Sequence, residues 1–341
     1  MPSIIKRIAQ ELHVSTASVS RALNDQPGLG EDLRKRILDK AKEFNYAPSA
    51  TARGLATSQT FAVGFFVREK PGLSATTDPF YGEILHSAEQ AIAQTNYHLT
   101  VATLTDEVLN NPTGFRFVRE RRIDGMLLAG PDIPSDFILA MLRTDLPVVL
   151  VDNQLEHFQA HTITGDDEGG AYLAAKHLLA QGHRHLGVLA GPDHWSSNRR
   201  RIIGYQRAMN EFALPMPIVH ADRTTIDSGQ STFQALIEMA PQTTAICAVN
   251  DSMALGAIRA ARSMGRQVPR DLSVVGFDNI AWAELNDPAL TTLDIPKRQL
   301  GVEAARRMIS LLDDPELAPT QLMISVRLIE RDSTAPPLDR R

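Results

Sequence analysis

The sequence predicts an α/β protein in two parts: a small all-α helix-turn-helix headpiece and a large region of doubly wound parallel sheet. Three observations carry that expectation. Residues 1–60 hold three amphipathic helical patterns in succession. From Phe61 onward, short apolar runs alternate with amphipathic segments, as repeated βα units do. A chain of 341 residues is also too long for one core of ordinary size.

In the first helix Ser3 is placed to cap, and Ile5, Ile8, Ala9 and Leu12 fall at i, i+3, i+4 and i+7, one apolar stripe. Ser15 is placed to cap the second, where Val19, Ala22 and Leu23 turn inward and Thr16, Ala17, Ser20 and Arg21 are left outward. The link, His13 and Val14, is short enough to force a steep crossing. A third helix over 31–44 buries Leu33, Ile37, Ala41 and Phe44 beneath the pair. A helix entering the major groove of DNA needs short side chains at its N-terminal end, so that its backbone approaches the bases. It also needs a long donor that forks onto guanine O6 and N7. Thr16, Ala17 and Arg21 meet both needs, while Ser15, Ser18, Ser20 and the helix N-terminus suit phosphate. On spacing alone, a plain three-helix cap with a serine-rich surface fits the same pattern. Pro48 ends the third helix, and residues 49–56 suffice for one or two helical turns. Gly54 and the brevity of that segment leave it marginal until DNA or a partner orders it.

In the larger region the predicted strands are FAVGFFV, HLTVATL, DGMLLAG, PVVLVD, HTIT, HLGVLAG, PIVHA, AICAVN and SVVGFD, with helices among them over 82–95, 170–181 and 252–264. Open α/β sheets bind ligands at the carboxyl ends of their strands. There the sequence places Asp78, Phe80 and Tyr81, then Ser196, Ser197 and Asn198 with the arginines of 199–201, then Asn250 and Asp251, then Asp278 and Asn279 with Trp282. Carboxylates, amides, an arginine and aromatic faces suit a polyhydroxylated ligand or a heterocycle. Each has a plainer reading too: Asp251 as a helix cap, Phe80 as core, Arg199 and Arg200 as solvated charge.

VSTASVSRALN, followed by FNYAPSATARGLATSQT, is similar to the headpiece and hinge of the LacI/GalR family of bacterial transcription repressors, whose patterns are VSxxTVSRxLN and NYxPNxxARxL. Ser18 stands where many members have threonine. The resemblance implies that Ser15, Thr16, Ala17, Ser20, Arg21 and Asn24 face DNA. It also implies that Arg53 and Leu55 belong to a paired hinge helix whose leucine wedges between base steps of the minor groove. DPFYGEIL, DDEGGAYLAAKHLLAQGHRHLGVLAGP, RIIGYQRAM, VNDSMALGAIRAARSMGRQVPRDLSVVGFDNIAW and PALTTLDIPKRQLG resemble the sugar-binding core that these regulators share with periplasmic binding proteins. Carried over by position, the effector residues are Asp78, Phe80, Tyr81, Ser197, Arg201, Asn250, Asp278 and Trp282. Residues 68–77 match no family pattern. The implied organisation is a headpiece over 1–48, a hinge and linker over 49–60, and a two-lobed core over 61–341. In that core 61–162 joins 291–322, and 163–290 joins 323–335, around a cleft that closes by hinge motion.

The net charge of −5 conceals an asymmetry: residues 1–60 hold nine Lys and Arg against six Asp and Glu, and the remainder 26 against 34. A basic end attracts a polyanion, although a solvated helical face gives the same excess. The N-terminus has no unbroken apolar stretch, and no run approaches the roughly 18 apolar residues of a membrane span, so a cytoplasmic protein is expected. The one cysteine, Cys247 in TAICAV, reads as a buried inert thiol. His177, His183 and His185 lack a companion carboxylate at ligand spacing, so neither metal nor cofactor is expected. Gly28 and Gly30 follow a helix and mark a turn. Asp166, Asp167 and Glu168 precede a helix and complement its dipole, and Asp313 and Asp314 belong to a surface turn. There is no GxSxG elbow and no evident base beside Ser196 and Ser197, which disfavours an enzyme.

Together these readings predict a homodimeric repressor of carbohydrate genes, bound to a pseudo-palindromic operator and switched by a small sugar-type effector. Dimerisation through the core is expected, since no heptad tail follows the last strand. A nucleoside or purine effector, and a sugar-binding module without DNA function, are the alternatives.

Overall fold

The computed structural model describes residues 4–23, 27–46, 59–70, 72 and 74–338. By contact the chain divides into two units, Met1–Ala62 with Arg116–Asp124, and Val63–Phe115 with Gly125–Arg341.

The first unit contains α1 (Ile4–Glu11), α2 (Thr16–Leu23) and α3 (Glu31–Glu43). Ile8, Val19 and Ile37 are wholly buried, with Ala9, Ala22 and Ala41 between them and Leu12, Leu23, Leu33 and Phe44 packed around. This is the stripe that the helical periodicity singles out. His13 takes φ 54° to make the tight turn, and the Val14 amide donates to the Ala9 carbonyl at 2.9 Å. In the same unit the Asp124 carboxylate accepts from the Thr60 amide (2.8 Å), the Thr60 hydroxyl (2.9 Å) and the Phe61 amide (2.7 Å), fixing the chain just ahead of Ala62. The expected Ser3 cap and the segment 49–56 lie outside the described residues.

Beyond the headpiece run β1 (Ala62–Arg68), α4 (Tyr81–Ile92), β2 (His98–Leu104), β3 (Gly125–Ala129), α5 (Ser135–Leu142), β4 (Val148–Val151) and β5 (His161–Gly165). They are followed by α6 (Asp167–Ala180), β6 (Leu186–Ala190), α7 (Ser196–Asn210), β7 (Ile218–His220), α8 (Ile226–Met239), β8 (Ala245–Ala248), α9 (Asp251–Ser263) and β9 (Ser273–Val275). The chain ends with α10 (Ala281–Leu285), β10 (Thr292–Asp294), α11 (Lys297–Asp313), β11 (Gln321–Ile324) and β12 (Arg327–Ile329).

Lobe one is a six-stranded sheet in the order β11-β5-β4-β3-β1-β2, and lobe two a four-stranded sheet in the order β7-β6-β8-β9. β1, β3, β4, β5 and β11 pair in parallel, as do β7, β6, β8 and β9. The central strands MLLA, VVLV, LGVLA and AICA are buried throughout, which is why they read as unbroken apolar runs rather than alternations.

The chain passes between the lobes three times. β5 and β11 stay paired in lobe one as far as Gly165 and Ile324, three residues and one residue past the Thr162 and Met323 near which the crossovers are expected. Thr291 bridges to Val275 of β9, and β10 forms a two-stranded antiparallel ribbon with β12. The chain therefore returns to lobe one at α11 rather than at Leu290. The expected strands all form; β10, β11 and β12, of three, four and three residues, are not among them.

Candidate functional site

In the headpiece, Ser15, Thr16, Ala17 and Arg21 are exposed, and Ser20 is half-buried. Ser15 is the first residue ahead of α2, and its hydroxyl accepts from the Ser18 amide at 3.0 Å while meeting the Ser18 hydroxyl at 2.9 Å. The outward face of α2 is thus short side chains followed one turn later by Arg21, for which no ion pair forms among the described residues. Asn24, Arg53 and Leu55 lie outside those residues.

In the core, the polar residues gather where strands end. After β1 comes Asp78, whose carboxylate accepts from the Phe80 and Tyr81 amides at 2.9 and 3.0 Å and so starts α4, while Lys70 pairs with its other oxygen at 3.0 Å. The Phe80 and Tyr81 rings stand edge to face at 5.0 Å, both buried. After β4 comes Asp152, which accepts the Tyr81 hydroxyl at 2.7 Å. The Asn153 amide donates to the Gly130 carbonyl at 2.7 Å.

Lobe two centres on Arg201. Its Nε donates to Asp167 Oδ1 at 2.8 Å, Nη1 donates to the Val249 carbonyl and lies 3.3 Å from Asp278 Oδ1, and the guanidinium sits 3.9 Å over the Phe277 ring. Gly204, one turn on, makes this approach possible: a Cβ there would lie 2.2 Å from the Glu168 carbonyl oxygen, holding α7 away from α6 and Arg201 away from Asp167. Lys297, at the start of α11 and buried, donates to the Asp278 and Asn279 carbonyls at 2.7 and 3.0 Å. It braces a loop whose two residues take φ 109° and 51°.

Burial and neighbouring charge set the protonation of this cluster. Burial pushes the Asp152 carboxyl up to about 8, helped by the Asp167 charge and opposed by Arg201. Burial likewise lifts Asp278 to about 7 against Arg201, and raises Asp167. These carboxylates hold the guanidinium charged, and its pKa is raised. Asp152 belongs to lobe one and the others to lobe two, so the lobes share one electrostatic network. Arg200 donates to Gln154 at 2.9 Å and Arg199 pairs with Glu156 at 2.9 Å across the same seam; neither is merely solvated.

The eight expected effector residues therefore do not all stand alike. Asp78, Phe80, Tyr81, Arg201 and Asp278 line the strand ends described above, and Ser197 is buried in the first turn of α7. Asn250 caps α9, accepting from the Met253 amide at 2.9 Å and donating to the Thr224 carbonyl at 3.2 Å. Trp282 is 43% exposed on α10. Asp251 is not the cap: fully buried, it accepts from Thr292 Oγ1 and the Ile280 amide. Asp167 needs a correction as well. Asp166 caps α6 through the Gly169 amide, whereas Asp167 is buried on Arg201, where an ion pair outweighs any interaction with the helix dipole.

Sequence reading missed Lys70, Asp132, Asp152, Phe277 and Lys297. Asp152 ends the predicted strand PVVLVD, as Asp278 ends SVVGFD, and Asp132 lies two residues beyond DGMLLAG. His183 is buried between Thr244, Ser273 and the Ala335 carbonyl at 2.9–3.1 Å and ties down the C-terminal tail. A groove of about 510 Å³ beside β7 and α8, lined by His220, Arg223, Ser228 and Ser231, contains none of the strand-end residues. No helix among the described residues is long and apolar enough to cross a membrane.

Comparison with known proteins meets this geometry at both ends of the chain. Residues 4–49 match the model for "Bacterial regulatory proteins, lacI family", and 175–334 the model for a periplasmic binding protein-like domain. The repressor PurR of Photobacterium profundum is 32% identical over 91% of this chain and 92% of its own length. Among solved structures, the lac repressor dimer bound to operator and the anti-inducer ONPF superposes with a TM-score of 0.80 at 25% identity, covering 96% of this chain and 98% of that one. The transcriptional regulator CelR in complex with cellobiose superposes with a TM-score of 0.73 at 26% identity, covering 98% and 100%. A helix-turn-helix followed by two lobes joined at Arg201, matched nearly end to end by these regulators, makes this chain a transcriptional repressor of the lacI family.

Proposed function

We propose that this repressor acts in the cytoplasm as a homodimer on a pseudo-palindromic operator, and that a small sugar-type effector bound between its lobes sets operator affinity. The observation that carries the reading is the junction of Tyr81 and Asp152 from lobe one with Arg201, Asp167 and Asp278 from lobe two. A ligand that engages both sides favours one lobe arrangement over the other, and only such a difference shifts an equilibrium. A coupling of about 1–3 kcal/mol changes operator affinity roughly 5- to 150-fold. Thr16, Ala17 and Arg21 read bases, Ser15, Ser20 and Asn24 position the helix, and Arg53 and Leu55 act at the minor groove. The units fall as headpiece 1–48, hinge 49–60 and core 61–341.

Support for the sugar comes from hydroxyl-accepting carboxylates beside aromatic faces, and from the likeness to a cellobiose-bound regulator. The exposed Trp282 ring favours a second reading, a stacked nucleobase. The test is a thermal-shift panel of sugars and nucleobases, since a ligand selective for the native state raises its melting temperature. Operator binding by fluorescence anisotropy with and without each hit completes it. A panel hit that leaves anisotropy unchanged refutes the switch, and a light-scattering mass near four chains refutes the dimer.

A further inference from the structure

Resting on the sugar-type reading above, we propose that the effector is an uncharged polyol, and that Asp132 of lobe one rejects its anionic analogues, the uronates and sugar phosphates. Five carboxyls of the seam, Asp78, Asp132, Asp152, Asp167 and Asp278, are each no more than 8% exposed, beside two buried cations, Arg201 at 6% and Lys297 at 4%. Arg201 is already engaged by Asp167, Asp278 and the Phe277 face. Lys70, less buried, is engaged by Asp78 and lies 4.6 Å over the Tyr81 ring. Lys297 donates to the Asp278 and Asn279 carbonyls, and Arg68 donates to the Asp132 carbonyl and pairs with Asp106, so each of these four cations already has its partners.

Asp132 is the member of this set without a side-chain donor: among the described residues, no side chain hydrogen-bonds to its carboxylate. Its position is fixed by Gly130, whose φ of 116° disfavours any other residue. A Cβ at Gly130 would meet Asp132 Oδ1 at 2.6 Å and Tyr81 Oη at 3.2 Å. The Tyr81 hydroxyl already donates its proton to Asp152, so the Asp132 carboxylate and the Tyr81 oxygen form a row of two acceptors. Hydroxyl groups supply the donors that this row lacks, and the two oxygens of one carboxylate match a vicinal diol. A uronate or phosphate brings only more acceptors, in a place where like charges are poorly solvated.

The experiment is calorimetric titration of the full-length protein with matched sets: glucose, glucuronate and glucose 6-phosphate; galactose and galacturonate; ribose and ribose 5-phosphate; cellobiose; and hypoxanthine. Like-charge juxtaposition costs several kcal/mol, so the charged member of any responding set should bind at least about 100-fold more weakly than its neutral parent. Asp132→Asn keeps the shape and removes the charge, and should narrow that gap at least about tenfold by improving binding of the anion. Asp132→Ser serves the same purpose if the amide variant does not fold. A uronate or phosphate within a few-fold of its parent overturns the charge rule and leaves the sugar reading standing. An unchanged gap in both variants removes Asp132 from the rule. Binding of hypoxanthine alone, or of no sugar in the panel, overturns both readings.

Discussion

Arg21 of the headpiece and Arg201 of the core are chemically identical and placed in opposite circumstances. Arg21 is exposed on the outer face of α2, above a small core in which Val19 and Ala22 do the packing. Arg201 is buried, paired with two carboxylates and a carbonyl and stacked on Phe277. Arg21, proposed above to read DNA, adds nothing to the packing of the headpiece core. Arg201 is part of the fold already, so the effector role proposed for it and its structural role cannot be separated by deleting it.

The largest expected effect follows directly. Arg201→Ala leaves Asp167 and Asp278 buried without their counter-charge, and breaking such a network costs about 3–5 kcal/mol. The core transition in urea denaturation should show that loss. A loss below about 1 kcal/mol would mean that the carboxylates simply take up protons, and the contrast between the two arginines would fail.

Next in size is a dependence on pH that belongs to the core. Asp152 is lifted to about 8, and Asp278 and Asp251 to about 7, chiefly by burial. In the unfolded chain these carboxyls ionise near 4. Because the folded values are raised, the stabilisation is complete below the unfolded values and is lost as pH rises through 7 and 8. Burial lowers His177 and His183, which acts in the opposite sense below about pH 6.5, so the informative window is above that. The core should melt several degrees lower at pH 9 than at pH 7. A flat profile would place these carboxylates in contact with water.

Arg21→Ala should leave stability within about 0.5 kcal/mol and weaken operator binding by about 1–3 kcal/mol, relaxing base preference at one position. Equal losses on operator and random DNA would reduce Arg21 to a phosphate contact and remove half of the comparison.

The same contrast explains what the sequence made legible. The headpiece core repeats within a turn or two of helix, so Ile8, Val19, Ile37 and Ala41 declare themselves by period. The central strands do so by unbroken apolar runs. The seam is assembled from strand ends far apart in the chain: Tyr81 meets Asp152 across 71 residues and Arg201 meets Asp167 across 34. Local pattern carries no trace of such pairings. The rule that strand ends hold ligands found Asp78 and Asp278, and applied to every strand it also selects Asp132 and Asp152. It does not tell Asp166, a cap, from Asp167, a buried partner, because that distinction depends on which of two adjacent carboxylates faces α7.

The smallest effect probes a residue on which both regions' logics meet. The sequence makes Ser15 a donor to phosphate, yet its oxygen also accepts the Ser18 amide at the start of α2. Ser15→Ala should cost the headpiece about 1 kcal/mol through loss of the cap, read by hydrogen exchange of the α2 amides in the full chain. Ser15→Asp restores the acceptor and suits the helix N-terminus electrostatically, so stability should return. If the hydroxyl also meets phosphate, the new negative charge will weaken binding to all DNA alike, with no change in base preference. If Ser15→Asp binds the operator as well as the parent does, Ser15 is a cap alone, and phosphate positioning falls to Ser20 and the exposed turn around it.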